Sequence, residues 1–179
     1  MTTTAGAQSH SKYAGQEQRA IKSLSGDDVA ELRRGGGWGF AKIAELNGVP
    51  GPLHLLELKD RIGLTAEQIA RVQAVYESMR AKAQALGRKF IAVEQELDDA
   101  FRTGTISTSS LKDLLARSAG LRRQLREAHL LAHLETRPLL SRAQIEKYNQ
   151  LRGYGKADAC ARVPQGHDPV MWRKHHGCD

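Results

Sequence analysis

Aromatic side chains are scarce in this chain, and long apolar runs are missing from it. Phe, Trp and Tyr make up 5% of the 179 residues, although 40% of the residues are hydrophobic. A β-sandwich depends on aromatic and β-branched side chains, so this composition favours helices that pack through Leu, Ala and Val. No stretch approaches the roughly 20 apolar residues that span a bilayer, and we expect no transmembrane helix. The first ten residues lack the charged and apolar regions of a signal peptide, so the sequence as written predicts no export signal.

Cysteine is nearly absent, and its two copies both lie in the C-terminal tail, residues 154–179. Two thiols in a segment rich in Gly, Pro and His suit either a disulfide that closes a short loop or soft ligands for a metal ion. Short tracts rich in His and Cys are candidate metal sites, although this tail has no CxxC pair and so matches no zinc finger. A tail without a binding function is the third interpretation. The candidate ligands in the tail are Cys160, His167, His175, His176 and Cys178.

Basic residues outnumber acidic ones by 27 to 20, which gives a formal net charge of +7. A basic chain suggests nucleic-acid binding as one function. The charges of both signs are spread along the sequence, however, whereas a nucleic-acid footprint needs basic residues in a cluster. The densest basic group contains only Arg122, Arg123 and Arg126. We therefore prefer a solvated helical surface and rank nucleic-acid binding last.

Helix breakers and apolar repeats divide the chain into four segments. Residues 1–24 are polar and aperiodic, which is typical of a mobile N-terminal arm. Residues 25–63 hold short flanking helices, the first capped by Ser25 and the later ones covering about 40–46 and 53–61. The glycine run 35–37 lacks the GxxxxGK[ST] pattern of a phosphate loop and is interpreted as a linker. Residues 64–153 form the main helical domain, and residues 154–179 form the tail.

A heptad repeat dominates residues 64–153. Apolar or small residues recur in steps of 3 and 4 from Ile69 to Ala100 without a proline, which predicts one helix about 50 Å long. A return helix carries its own seam from Leu111 to Ala132 and ends before Pro138. Two long seams joined by a short turn predict an all-α fold, a long antiparallel helical hairpin in which Phe90 faces Leu121.

A two-helix hairpin leaves one side of each helix open. Leu130, Leu131 and Leu134 point away from the seam, so the end of the return helix is apolar nearly all round. Such a surface needs a cover. We expect the short flanking helices to cover part of it and a second copy of the chain to cover the rest, in an elongated homodimer.

Two short motifs carry a resemblance to a known family. Leu64, Thr65 and Gln68 form an LTxxQ motif, and a second copy follows about 76 residues later with Ser in place of Thr. Serine keeps the ability to cap a helix. The second copy consists of Leu140, Ser141 and Gln144. Paired LTxxQ motifs around a long helical hairpin resemble the Spy/CpxP family of bacterial periplasmic proteins, over roughly residues 52 to 153.

The resemblance implies a cradle-shaped helical dimer of the cell envelope that works without ATP. Some members of the family hold unfolded proteins and suppress their aggregation, and related members sense or buffer heavy metals. The leading prediction is therefore a periplasmic envelope-stress chaperone whose apolar patches bind unfolded or misfolded proteins. Basic side chains would steer acidic client segments towards these patches. The candidates are Arg80, Arg88, Lys89, Arg122, Arg123 and Arg126.

The alternative prediction is a heavy-metal sensor or metal-buffering protein. His129 and His133 stand four residues apart on one helical face, and the hairpin register places Met79 opposite them. Two imidazoles and a thioether suit copper, nickel, cobalt or zinc rather than calcium. Two histidines alone are an incomplete site, so the pair also has a structural interpretation, with His133 as the more exposed of the two. No cofactor is required by either function.

No catalytic pattern stands out in the sequence. There is no recognisable nucleophile and base pair and no HExxH motif, and the acidic stretch 94–99 lies on a long helix, where such residues are usually solvated. His54, on a short apolar helix, is interpreted as a packed histidine. The sequence therefore predicts a binding protein without enzymatic activity.

Overall fold

The structure is a computed structural model that describes residues 11–154, 163 and 168–176, without the side chains of residues 175 and 176. All regular elements within these ranges are helical, which confirms the predicted all-α class. Among the helices described, none combines the length and apolar character needed to cross a membrane. The elements are a 3-10 turn at Gln16–Gln18, α1 (Gly26–Arg34), α2 (Lys42–Leu46), α3 (Pro52–Glu57), α4 (Lys59–Ile62), α5 (Ala66–Arg102), α6 (Thr108–Thr136), a 3-10 turn at Arg137–Leu139, α7 (Arg142–Arg152) and α8 (Pro169–His176).

The two long helices, α5 and α6, lie side by side in antiparallel order. Glu94 of α5 accepts a hydrogen bond from Ser118 of α6 at 2.5 Å, and Arg117 bonds Glu96 at 2.9 Å. The chain reverses at Gly104, whose φ of 69° is readily adopted only by glycine. Helix α6 then begins with a capping box between Ser107 and Ser110.

The first core forms where α1 crosses the long helices. Leu32, Phe90 and Leu125 are at most 3% exposed there. Gly87 makes the crossing possible, because a Cβ at this position would clash with the backbone carbonyl of Leu32. A glycine that weakens an isolated helix therefore allows α1 to approach α5 closely.

The N-terminal arm predicted for residues 1–24 differs from the structure at its C-terminal end. Ile21 and Leu24 are 5% and 4% exposed and belong to the first core. The Lys22 backbone N–H and its Nζ bond the carboxylate of Asp98 at 2.9 and 3.1 Å. This stretch therefore packs on α5. Its two apolar side chains are buried there, although two residues are too few to form a periodic pattern that the sequence could reveal.

The second core joins α3, α4, α5 and α7. Leu55, Val72 and Tyr148 are fully buried in it, and the motif leucines Leu64 and Leu140 pack against it. The segment predicted as one helix over 53–61 is divided at position 58 into α3 and α4.

The two LTxxQ motifs meet at this second core. Thr65 and Ser141 each form a capping box with the glutamine three residues later. The two glutamines, Gln68 and Gln144, also bond each other through their side-chain amides at 2.9 Å. The starts of α5 and α7 are thereby fixed together, so each motif glutamine both caps its own helix and contacts the other motif.

Candidate functional site

A cavity of about 630 Å³ lies between the glycine-rich loop 35–39, helices α2 and α3, and the long helices α5 and α6. Its size falls within the roughly 300 to 1,000 Å³ typical of ligand pockets. Two buried histidines of α6 and several apolar side chains of other elements surround it. The residues on which the argument depends are Trp38, Glu45, Gly51, Pro52, Leu53, Tyr76, Met79, His129 and His133, and the exposed charged residues Arg34, Lys42 and Arg80 stand around them.

His133 is 5% exposed and His129 is 3% exposed, so both histidines are buried and differ little in accessibility. The segment 49–52 covers His133. Its Nδ1 lies 2.8 Å from the carbonyl oxygen of Val49, and since a carbonyl only accepts, Nδ1 carries the proton. In the neutral imidazole Nε2 then holds a free lone pair. Only glycine fits at position 51, where a Cβ would lie 2.6 Å from Nε2 of His133.

His129 is 3% exposed and stacks on Phe40, with ring centroids 5.9 Å apart. Its Nε2 is buried and has no hydrogen-bond partner among the described residues. Burial and the neighbouring His133 lower the pKa of His129, against a backbone hydrogen bond with Gly36 that favours the charged form. The side chain is therefore neutral near pH 7, with a polar atom unsatisfied. Such an atom is costly unless something bonds to it.

A carboxylate from α2 contributes to the same cavity. Glu45 accepts hydrogen bonds from the hydroxyl of Tyr148 at 2.8 and 2.9 Å. Burial and this carboxylate raise the pKa of Tyr148, which is fully buried. Arg152 lies 3.9 Å from Glu45 and offsets part of its charge. The network fixes α2 against α7 and keeps one negative charge near the histidines.

The aromatic wall is held in place by its own contacts. Trp38 donates from Nε1 to Asp28 at 2.8 Å and packs edge to face against Phe40. Hydrogen bonds from Ser25 and Trp38 hold the pKa of Asp28 below its usual value. Trp38 has a φ of 40°, in the left-handed region that non-glycine residues rarely adopt. The indole is thus positioned by a strained backbone and a partly buried hydrogen bond.

The structure brings together one of the predicted ligand sets. Met79, His129 and His133 all line the cavity, and His54 lies at the same site with its Nδ1 2.9 Å from Glu57. Within the described part of the chain, however, no group of three His, Cys, Asp or Glu is close enough to hold a metal ion. Sequence reasoning missed Trp38, Glu45 and Gly51. The glycine run and the Pro-Gly-Pro turn were the available signals, since both allow close backbone approach.

The predicted basic residues are not gathered on one face. The Arg122 guanidinium lies 5.0 Å from the Trp38 ring centroid, Arg123 pairs with Glu127, and Arg80 bonds the carbonyl of Arg34. The remaining three, Arg88, Lys89 and Arg126, are exposed. Arg122 and Arg80 thus contact the fold itself, which leaves fewer basic groups for a client.

The predicted tail ligands fall outside the part of the chain that the structure describes. Cys160, His167 and Cys178 lie outside the described residues, as do the side chains of His175 and His176 at the end of α8. The helix itself begins after Asp168, whose carboxylate accepts from the backbone N–H groups of Val170 and Met171 at 2.9 Å.

No family model, curated protein or solved structure matches this chain. The resemblance to the Spy/CpxP family therefore rests on the two LTxxQ motifs and remains a prediction.

Proposed function

We propose that this chain is a Spy/CpxP-like chaperone that binds unfolded polypeptides without ATP on the open side of α6. The observation that carries this proposal is the leucine patch, which we define as Leu130, Leu131 and Leu134. Leu131 and Leu134 are 40% and 62% exposed, and the spacing of the three residues places them on one helical face. Exposed apolar clusters of this kind mark protein-binding surfaces.

The charges next to the leucine patch fit a weak, steered interaction. Arg123 and Arg126 are exposed and lie one to three turns before the leucines. Arg123 shares its charge with Glu127 at 2.7 Å, whereas no ion pair of Arg126 is among those found in the described residues. Basic groups beside an apolar surface raise the rate at which acidic segments arrive. The patch would supply the affinity and Arg126 the attraction at longer range.

Assembly and location belong to the same proposal. A homodimer would place two leucine patches in one assembly and so give a client two contacts, which strengthens weak binding through a high effective concentration. The periplasm is the compartment in which a chaperone without ATP is useful, and it is the location that the family resemblance implies.

An aggregation assay with a chemically denatured test protein examines the proposal. The wild-type chain is expected to suppress light scattering at a stoichiometric ratio, and the double variant Leu131→Ser, Leu134→Ser is expected to lose most of this effect. Leu115→Ser is the matched control, since Leu115 is 50% exposed on the same helix but lies on another face. No suppression of aggregation by the wild-type chain would contradict the proposal. An equal loss of suppression in the Leu115→Ser control would show that the leucine patch is not the client-binding surface.

The metal-buffering alternative has narrower support. Met79, His129 and His133 share one cavity, but the other candidate ligands lie in the tail beyond the described residues. The alternative stays a prediction, and titration of the reduced chain with copper, nickel, cobalt and zinc ions tests it. Loss of tight binding on deletion of residues 160–179 would locate the metal in the tail.

A further inference from the structure

The cavity around His129 and His133 is separate from the leucine patch, and client binding uses none of its features. Two imidazoles more than nine-tenths buried lie beside aromatic and apolar side chains. We propose that this cavity binds a small, uncharged aromatic molecule that carries a hydroxyl group, of the phenol or naphthol class.

A hydroxyl is favoured by the imidazole nitrogens of the cavity, of which Nε2 of His129 is buried without a hydrogen-bond partner among the described residues. Nδ1 of His133 donates its proton to the Val49 carbonyl, so Nε2 is the nitrogen of this ring that can accept a hydrogen bond. Nε2 of His129 has no partner among the described residues, whichever tautomer the ring adopts. A hydroxyl has one proton and two lone pairs, so it can donate to the first nitrogen and accept from the second when the second carries a proton. When both nitrogens are acceptors, it donates to one of them.

The aromatic body is favoured by the remaining walls. The rings of Trp38 and Tyr76, the thioether of Met79, and Pro52 and Leu53 all line the cavity. Aromatic rings pack well against each other in offset or edge-to-face arrangements, and a methionine sulfur makes favourable contacts with ring edges. A flat aromatic molecule therefore gains contacts on several sides at once.

The inner wall of the cavity does not favour an anion, and its exposed side does not favour a cation. A buried imidazole with a lowered pKa offers no positive charge to an anion, and the Glu45 carboxylate would repel one. Lys42 and Arg80 stand at the exposed side and would repel a cation, whereas Arg34 there is paired with Glu31. A neutral molecule avoids each of these costs.

Calorimetric titration of the full chain with 2-naphthol, in the presence of a metal chelator, tests the proposal. We expect saturable binding of one molecule per chain with a dissociation constant below about 100 μM. The matched ligands are 2-methoxynaphthalene, which keeps the rings but cannot donate, and 2-naphthoate, which is an anion. Each is expected to bind at least about tenfold more weakly.

The imidazole nitrogens provide an independent readout. We expect 2-naphthol to shift the ¹⁵N resonance of Nε2 in His133 and in His129, as a hydrogen bond to a free nitrogen would. Absence of saturable binding would overturn the proposal, and so would equal affinity for 2-methoxynaphthalene. If copper, nickel, cobalt or zinc ions bind to both histidines and displace 2-naphthol, the cavity is a metal site instead.

Two variants separate this proposal from the chaperone proposal. His129→Leu removes one nitrogen and is expected to weaken 2-naphthol binding at least about tenfold while aggregation suppression is retained. The Leu131→Ser, Leu134→Ser variant is expected to show the reverse pattern. Circular dichroism checks that each variant is folded. If His129→Leu fails to fold, the comparison of the three ligands on the wild-type chain still decides the outcome.

Discussion

The imidazole of His129 lies between Phe40, His133 and the backbone of Gly36, with almost no contact to solvent. Its i, i+4 spacing from His133 was visible in the sequence, but its burial depends on residues 36–52, which are distant along the chain. That segment changes the pair from an open chelating face into part of the buried wall of a cavity. The chemistry of a histidine pair is thus decided by what covers it.

The protonation of His129 is expected to make folding depend on pH. Its pKa is lowered from 6.5 in the folded state, so as the pH falls through about 6.5 the unfolded chain takes up a proton that the folded chain resists. The contribution of neutral His129 to the free energy of unfolding is therefore complete above this pH. It declines as the pH falls below about 6.5, and the decline ends once the pH is below the lowered pKa of the folded state. Urea denaturation at about pH 7.5 and pH 5.5 measures the decline.

The control for this dependence is His54, which is partly exposed and paired with Glu57. We expect His129→Leu to reduce the difference between the two pH values and His54→Gln to leave it nearly unchanged. An undiminished difference in His129→Leu would show that other groups are responsible.

At the scale of helices, two glycines within the long helices predict opposite effects. Gly87→Ala is expected to destabilise the fold by about 1 to 3 kcal/mol, because the new methyl group would clash with the Leu32 carbonyl at the α1 crossing. Gly120→Ala is expected to stabilise it by up to about 1 kcal/mol, because nothing lies near its Cβ position and alanine favours helix. Urea denaturation compares the two variants, and stabilisation by Gly87→Ala would contradict the close crossing.

The contact between the LTxxQ motifs predicts an energetic coupling. Gln68 and Gln144 bond each other and also the backbone carbonyls of Leu139 and Gly63. Replacing both by alanine should therefore cost less than the sum of the single changes, with a coupling of about 0.5 to 3 kcal/mol. A double-mutant cycle measured by urea denaturation gives this value. Strict additivity would mean that each glutamine acts only as a cap of its own helix.

Sequence periodicity predicted the long helices well, but it did not predict where the backbone of one segment packs closely against another segment. The capping boxes at Thr65 and Ser141 and the heptad seam gave the starts of α5 and α7 and most of the length of α5. The site depends instead on single residues such as Gly51 and Trp38, whose positions are set by tertiary contacts. A glycine that packs against an imidazole and a tryptophan with positive φ leave no repeating pattern to detect.

For the whole molecule, the exposed leucines of α6 raise the question of assembly. Leu115 is 50% exposed, and the leucine patch lies beyond it on the same helix. We expect a homodimer, so sedimentation velocity at about 10 μM should give twice the chain mass of 19.7 kDa. A single species with the mass of one chain would contradict this expectation.

The central claim of the account is that unfolded polypeptides bind at the leucine patch, and site-specific photocrosslinking tests it most directly. A photoreactive residue is placed at position 131, or at the exposed position 81 of α5 as a control, and a denatured client is added. Strong crosslinks from position 131 and weak ones from position 81 are the predicted result. Crosslinks of equal strength from both positions, or none from position 131, would contradict the claim.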